Sequence, residues 1–542
     1  MELLAVAVDS DLDGLQVDDP QGHPIDAPAI RAGGPPWSLR TGLDQAVAGT
    51  YRVTARRGDE IVACREVQVG GPAAEFGRAA WDLPTQALFA VWVEHLFDAP
   101  PDQPLNFASL EPVLRDPQRN FLYDYLRPGE DQRVPATPDC GDLAYFLRAY
   151  FAWKIGLPIA FRHCDRGSAS RPPQCGPSAI DTSLTAAPAT VEDFRVLSRR
   201  IIDRVHSGSA RTALHEDASD FYPLPLERAA LWPGSVFADP YGHTLILVKW
   251  VPQTAENNGL LLAVDAQPDN SVARKRFWEG NFLFAHTPSA GPGFKVYRVP
   301  LEGEGKNTWL QPSNAELTAL SIQPPLSLEQ ADLAPADFYA RMEQLINPQG
   351  LDPQAAYLAT LAALMEQLEA RVRSVNNGEA YLRNHPGTVI PMPSGAAIFE
   401  TIGPWEDYST PSRDMRLLIA MQVLADLPER IRRHPELYLL HGDSADTAAA
   451  GIEALHWQSL ETHFISYSRS DGSPWSLSLG DIYQRRAQLE MAYNPNDCVE
   501  RRWGATPDSP DYATCKRRAP ADQRARMEEY RPWFREMRRP PR

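Results

Sequence analysis

Between Thr137 and Pro158 the chain reads TPDCGDLAYFLRAYFAWKIGLP, and this stretch constrains the fold more than any other. Thr137 and Asp139 are capping residues, Pro138 suits a first helical turn, and Gly156 followed by Pro158 stops a helix. Leu143, Phe146, Leu147, Tyr150 and Phe151 recur at helical spacing, which demands a face buried in a core. Aromatics in that register are packing residues rather than a cofactor box. The pattern predicts Cys140 in the first turn, where unpaired N–H groups and the helix dipole favour negative charge. A thiolate is the reactive form of cysteine, so Cys140 is a candidate nucleophile. Asp139 and Asp142 flank it and oppose its ionisation, so the thiol needs a partner base.

That base is expected about a hundred residues on. HTLILVKWV (243–251) and GLLLAVDA (259–266) are apolar, β-rich runs separated by PQTAENN, which is turn chemistry. They are expected to pair as an antiparallel hairpin. Folding about a loop centre near residue 254 sets His243 directly opposite Asp265, with Cβ atoms about 5 Å apart on one face. His243 is then a base for the Cys140 thiol, and Asp265 holds the imidazole in its working tautomer.

At 542 residues the chain exceeds what one core can organise. Residues 1–75 read as a small accessory β domain, sandwich-like or Ig-like, because TYRVTARRGDEIVACREVQVG alternates apolar and polar residues about a Gly58-Asp59 turn. Residues 76–310 mix helices and strands and carry the candidate chemistry. Residues 311–542 are mainly helical: Asp352-Pro353 and Thr410-Pro411 open two long helices, the first with a stripe of Leu358, Leu361, Met365, Leu368 and Val372. The fold class is thus multidomain α+β. Asp9, Asp11 and Asp13 copy the first half of a calcium loop ending at Gly14, although Pro20 stands where its bidentate Glu belongs. Calcium there, or an Asp-rich surface turn, are the two readings. From Lys516 onward ten Lys or Arg face four Asp or Glu, a solvated helix or a contact for an anionic surface.

A Cys at a helix start in CGDLAYFLRAYFAWKIGLP, the strand IAFRHC after it, and His and Asp on later adjacent strands resemble the core of transglutaminase-like cysteine enzymes. The resemblance covers about residues 110–290. It implies a papain-like α/β core with Cys140 as nucleophile, His243 as base and Asp265 as orienter. The segment 165–230, rich in Pro, Ser and Asp, is an insertion expected to form a lid or specificity loop. The family's second oxyanion donor lies upstream of the Cys, where Gln132 is a candidate beside the Cys140 N–H. Bacterial cell-wall endopeptidases resemble this chain less closely, since their third member is normally a second His.

Several function classes are disfavoured. A net charge of −17 argues against a broad nucleic-acid surface. No run approaches the roughly 20 apolar residues of a transmembrane helix. There is neither a His-Glu-x-x-His pair nor a Gly-x-Ser-x-Gly elbow, and no cofactor is required. Of six cysteines, Cys164 with Cys175 and Cys498 with Cys515 are spaced so that each pair can close a short disulfide loop, which suits a periplasmic or secreted setting; four reduced thiols in a cytoplasmic protein are the other reading. The sequence therefore favours a thiol-dependent hydrolase of peptide or amide bonds, with a protein or cell-wall peptide as substrate. A crosslinking transglutaminase and a non-catalytic binding protein retaining the fold are the alternatives.

Overall fold

The computed structural model describes residues 1–540 except 10, 44–45, 71–79, 186–188, 268–269, 304–307 and 400–402. The fold is mixed α+β with several sheets and a helical C-terminal region, in two compact units. The first comprises Met1–Phe277 and Phe284–Ile346, the second Trp278–Leu283 and Asn347–Arg542. The first unit runs on to Ile346, because the helix Pro335–Ile346 packs on its sheet. Phe338 stacks on Phe284 with ring centroids 3.9 Å apart and lies 6.0 Å from Phe294.

At the N-terminus a three-stranded sheet (Glu2–Ala7, Trp37–Gly42, Ile30–Gly33) and a four-stranded sheet (Pro24–Ile25, Gly14–Asp18, Gly49–Arg57, Glu60–Val69) share two small apolar clusters. Leu3 from one sheet meets Val17 and Tyr51 from the other, and Leu39 meets Ala55. The two-sheet layering follows from strands whose alternate residues are apolar. The hairpin about Gly58-Asp59 forms with Thr54 opposite Cys64. This part is not separate from the first unit: Val6 and Val8 pack against Ala87, Ala90 and Trp232.

The main core of the first unit is a seven-stranded antiparallel sheet, ordered Phe221–Pro223, Gly293–Tyr297, Val236–Ala238, Thr244–Val251, Leu260–Ala266, Val272–Arg276, Asn106–Phe107. The helix Leu143–Ile155 contributes Leu143 to Trp153 to the same core, and Tyr145 lies edge-on to Phe221 and Tyr297. This helix is buried nearly all round rather than on one face, because other elements cover its far side. Phe194 of the helix Val191–Ile202 stacks on Trp153 at 5.0 Å and meets Phe146 and Tyr150 edge-on. Lys154 is fully buried and survives by pairing with Glu130 and with Asp131 (2.8 Å).

Segment 165–230 is therefore not a loose lid. It supplies the strand Cys175–Asp181, the helix Val191–Ile202, a single turn Ser207–Arg211 and the strand Phe221–Pro223, and much of it is core. Its Pro, Ser and Asp residues punctuate short elements: Thr190 and Asp193 form a capping box, and Asp181 accepts from Ser183. Disulfides join Cys164 to Cys175 and Cys498 to Cys515, leaving Cys64 and Cys140 as free thiols.

In the second unit the helices Pro353–Asn384 and Pro411–Arg433 pack together. Asp352 caps the first through Ala355 N (2.7 Å), as its Asp-Pro start implies. The buried stripe is rotated from the expected one. Leu358 is 46% exposed, whereas Tyr357, Leu361, Leu364, Leu368, Arg371 and Val375 are buried. An arginine belongs to this face because Asp414 takes it bidentately, both bonds 2.8 Å, and an apolar pattern cannot anticipate that. The C-terminal basic segment forms the helix Ala521–Arg535, with Arg526 paired to Asp522 and Arg531 to Glu490. Among the described residues, no helix is long and apolar enough to cross a membrane.

Candidate active site

The turn bearing Cys140 is made by Asp139. One of its carboxylate oxygens accepts from Gly141 N (2.7 Å) and Asp142 N (3.1 Å), and its carbonyl accepts from Asp142 N and Leu143 N. The regular helix accordingly begins at Leu143, so Cys140 sits in the turn that feeds it rather than in its first turn. The stop is as expected: Gly156 adopts φ 78°, and Ala152 O accepts from both Gly156 N and Leu157 N. Cys140 is half-buried.

His243 lies one residue before the strand Thr244–Val251, after a tight turn in which Asp239 N donates to His243 O and Asp239 Oδ1 accepts from Tyr241 N. Its Nε2 donates to Asp265 Oδ2 at 2.8 Å. The two are not directly opposed. The register Ile246↔Val264 and Leu247↔Ala263 continues to Leu245 across from Asp265, so His243 and Asp265 are diagonal neighbours displaced by two residues. A displacement of two keeps both side chains on one face, since strand side chains alternate. The displacement comes from a loop centred between residues 255 and 256; the bulge between Leu247 and Lys249 takes out one residue of it and so returns the two side chains to the same face.

Gln267, unremarked in the sequence, continues the face of Asp265 by i, i+2 spacing. Its Nε2 donates to the same Asp265 Oδ2 at 2.7 Å. Alternation about Asp265 was the available signal, but nothing distinguishes a positioning amide from a surface one without the partner strand.

The electrostatics connect the three residues. Burial alone pushes the His243 imidazole down, but hydrogen bonds to Asp265 and Cys140, together with the charges of both, raise it to about 9. Cys140 is therefore near enough to His243 to act on its charge, while Nε2 is committed to Asp265. Asp265 is buried, which strengthens its hold on the imidazolium. Asp142 is raised to about 7 by burial and by the Asp139 charge. Near neutrality it thus carries less negative charge beside the thiol than an ordinary carboxylate.

The other nominated residues lie elsewhere. Gln132 is exposed on a one-turn helix, and its amide donates to Tyr123 Oη at 3.0 Å. Of the calcium candidates, Asp11 pairs with Arg31 (2.9 Å) and accepts from Leu12 N, Asp13 faces Arg31 and Gly58 N, and Asp9 faces Arg57. Those oxygens are turned to arginines and backbone amides rather than to a common centre, as befits an Asp-rich turn. Among the described residues, metal-ligand atoms come together only at Cys498, Glu500 and Cys515. There the two sulfurs are joined to each other, and Glu500 accepts from Ser470 and Thr514.

Comparison with protein-family models, with curated proteins and with solved structures returns no match to this chain.

Proposed function

We propose that this protein is a thiol-dependent acyl-transfer enzyme, a hydrolase of peptide or amide bonds working through a Cys140–His243–Asp265 triad on a papain-like, transglutaminase-like core. The observation that carries the reading is the partnership of His243: one ring nitrogen on a buried carboxylate, the ring also bonded to a half-exposed cysteine, and a pKa of about 9. An imidazole protonated at neutral pH and bonded to a thiol favours the thiolate–imidazolium pair that cysteine nucleophiles use.

The Cys140 sulfur adds to the amide carbonyl carbon, and the carbonyl electrons move to oxygen. Collapse breaks the C–N bond, His243 gives its proton to the departing amine, and a thioester remains. His243, now neutral, takes a proton from water as it attacks the thioester; the carboxylic acid leaves and the thiolate–imidazolium pair returns. Asp265 keeps the ring oriented throughout, held in turn by Gln267. Water is the simpler acceptor, and an amine in its place would make the reaction a crosslinking one. Two disulfides favour an extracytoplasmic location.

Cys64 is exposed, so it serves as an internal reference for the test. With iodoacetamide at pH 7, Cys140 is expected to alkylate at least about tenfold faster than Cys64, and His243→Ala to abolish that difference. Equal rates for the two cysteines would sink the enzyme reading. Incubation of an acyl-donor peptide with water alone, and then with a primary amine, separates hydrolysis from crosslinking by product mass.

A further inference from the structure

A thiol acyl enzyme needs donors for the oxygen that becomes negative when sulfur adds to the carbonyl. Gln132, the sequence candidate, is engaged by Tyr123. Two backbone amides beside the nucleophile are available instead. Among the described residues neither the Cys140 N–H nor the Ser207 N–H has an acceptor. Both residues are half-exposed, so substrate can reach them.

Three observations bring Ser207 to the site. A methyl group on Gly141, the residue after the nucleophile, would sit 2.4 Å from Ser207 N and 2.7 Å from His206 C. The His206–Ser207 backbone thus lies against the Cys140 turn, at a closeness only glycine permits. Buried Arg211 then ties Ser207 to the histidine loop, since Nε donates to Ser207 O and Nη1 to Pro240 O, each at 3.4 Å. Pro240 precedes His243 by three residues. Finally, His206 is fixed from both ring nitrogens: Nε2 meets Cys164 O at 3.0 Å and Nδ1 accepts from Gly208 N at 3.0 Å. The Ser207 peptide is thus held against the nucleophile turn and tied to the loop that carries His243.

We propose that Ser207 contributes its main-chain N–H, together with that of Cys140, as the oxyanion hole of this enzyme. The inference rests on the thiol-enzyme reading above. The two amides donate to the tetrahedral oxygen formed when the Cys140 S–C bond is made, and they release it as the carbonyl reforms and the leaving group departs. No proton passes to or from either amide.

The backbone supplies a clean probe. His206 is extended (φ −163°, ψ 173°), the conformation tolerated before proline, and Ser207 is the first residue of its turn, a position where proline fits and no N–H is used by the fold. Ser207→Pro therefore removes the donor in a backbone conformation proline can adopt, and its ring must be accommodated beside Gly141. Two reactions of Cys140 are compared in the full-length protein: acylation by p-nitrophenyl acetate, which forms an oxyanion, and alkylation by iodoacetamide, which does not. Ser207→Pro is expected to slow the p-nitrophenolate burst about 10²-fold, while alkylation stays within about threefold of the parent. Wild-type acylation in Ser207→Pro overturns the proposal. Equal loss in both reactions also overturns it, because the amide would then support the thiol rather than the carbonyl oxygen. Should Ser207→Pro fail to fold, as read from its circular dichroism, Gly141→Ala displaces the same amide and is held to the same comparison. Failure of the underlying enzyme reading looks different: the unmodified protein would itself show no preference for Cys140 over Cys64.

Discussion

His243 and Asp142 carry the two large pKa shifts at the site, and both are raised, for different reasons. For His243, bonds and charges from Asp265 and Cys140 outweigh burial and hold the imidazole at about 9 against a usual value near 6.5. The stability it contributes is complete below about pH 6.5 and is lost as pH rises through about 9. Asp265→Asn removes the main support, so urea midpoints of that variant are expected to fall less between pH 6.5 and 9.5 than those of the parent. Its Cys140 turnover is expected to drop by about 10²- to 10⁴-fold, with substrate binding nearly unchanged. For Asp142, burial and then the Asp139 charge favour the protonated acid, raised to about 7. Between about pH 4 and 7 the unfolded chain releases this proton while the folded chain keeps it, so stability falls with rising pH across that window. Asp142→Asn is expected to stabilise the protein by about 4 kcal/mol above pH 7 and to leave it nearly unchanged at pH 4. Thermal denaturation at the two pH values checks the prediction.

At the scale of elements, the hairpin Ile159–Cys164 with Cys175–Asp181 connects the disulfide to the candidate site. The Cys164 carbonyl holds His206, and the His206–Ser207 backbone packs on Gly141. Closing a loop of this length stabilises by about 2–3 kcal/mol. Replacing both Cys164 and Cys175 by Ser is expected to lower the unfolding free energy by about that amount. It is also expected to slow p-nitrophenyl acetate acylation of Cys140 severalfold; unchanged acylation in a destabilised variant would separate the hairpin from the site. Such indirect connections also mark where sequence reading stopped. The nucleophile turn, its helix and the two apolar strands were legible because capping, stop and turn residues bound apolar runs of the right period. His243 and Asp265 share one face because a bulge restores the even register that a regular hairpin with this loop would lack. Direct opposition became a diagonal because the loop is centred between residues 255 and 256; the bulge at Leu247–Lys249, which nothing local in LVK demands, takes back one residue of that shift and was not legible. Helix onset at Leu143 was missed because Asp139 spends its carboxylate on two turn amides. Gln267, Ser207 and Arg211 gained their places only from partners remote in sequence.

At the scale of the whole molecule, each compact unit has its own buried charges. In the first, Lys154 sits with Glu130 and Asp131; in the second, Arg371 and Asp414 are each about 1% exposed and share two bonds. Arg371 also lies 4.6 Å above the Trp503 ring, so its position organises the packing of the second unit. Asp414→Asn keeps the shape but removes the carboxylate that compensates a buried guanidinium, a change that costs about 3–5 kcal/mol. Units with separate cores are expected to unfold in separate cooperative transitions. Calorimetry of the full chain is therefore expected to show two transitions, with Asp414→Asn lowering one and leaving the other in place. Cys140 alkylation, read at a temperature between the shifted and the unshifted transition, is expected to persist in Asp414→Asn, because nucleophile, base and orienter all belong to the first unit. A single transition that moves as a whole, with loss of Cys140 reactivity at the same temperature, would mean that the helical unit is part of what keeps the thiol and imidazole together.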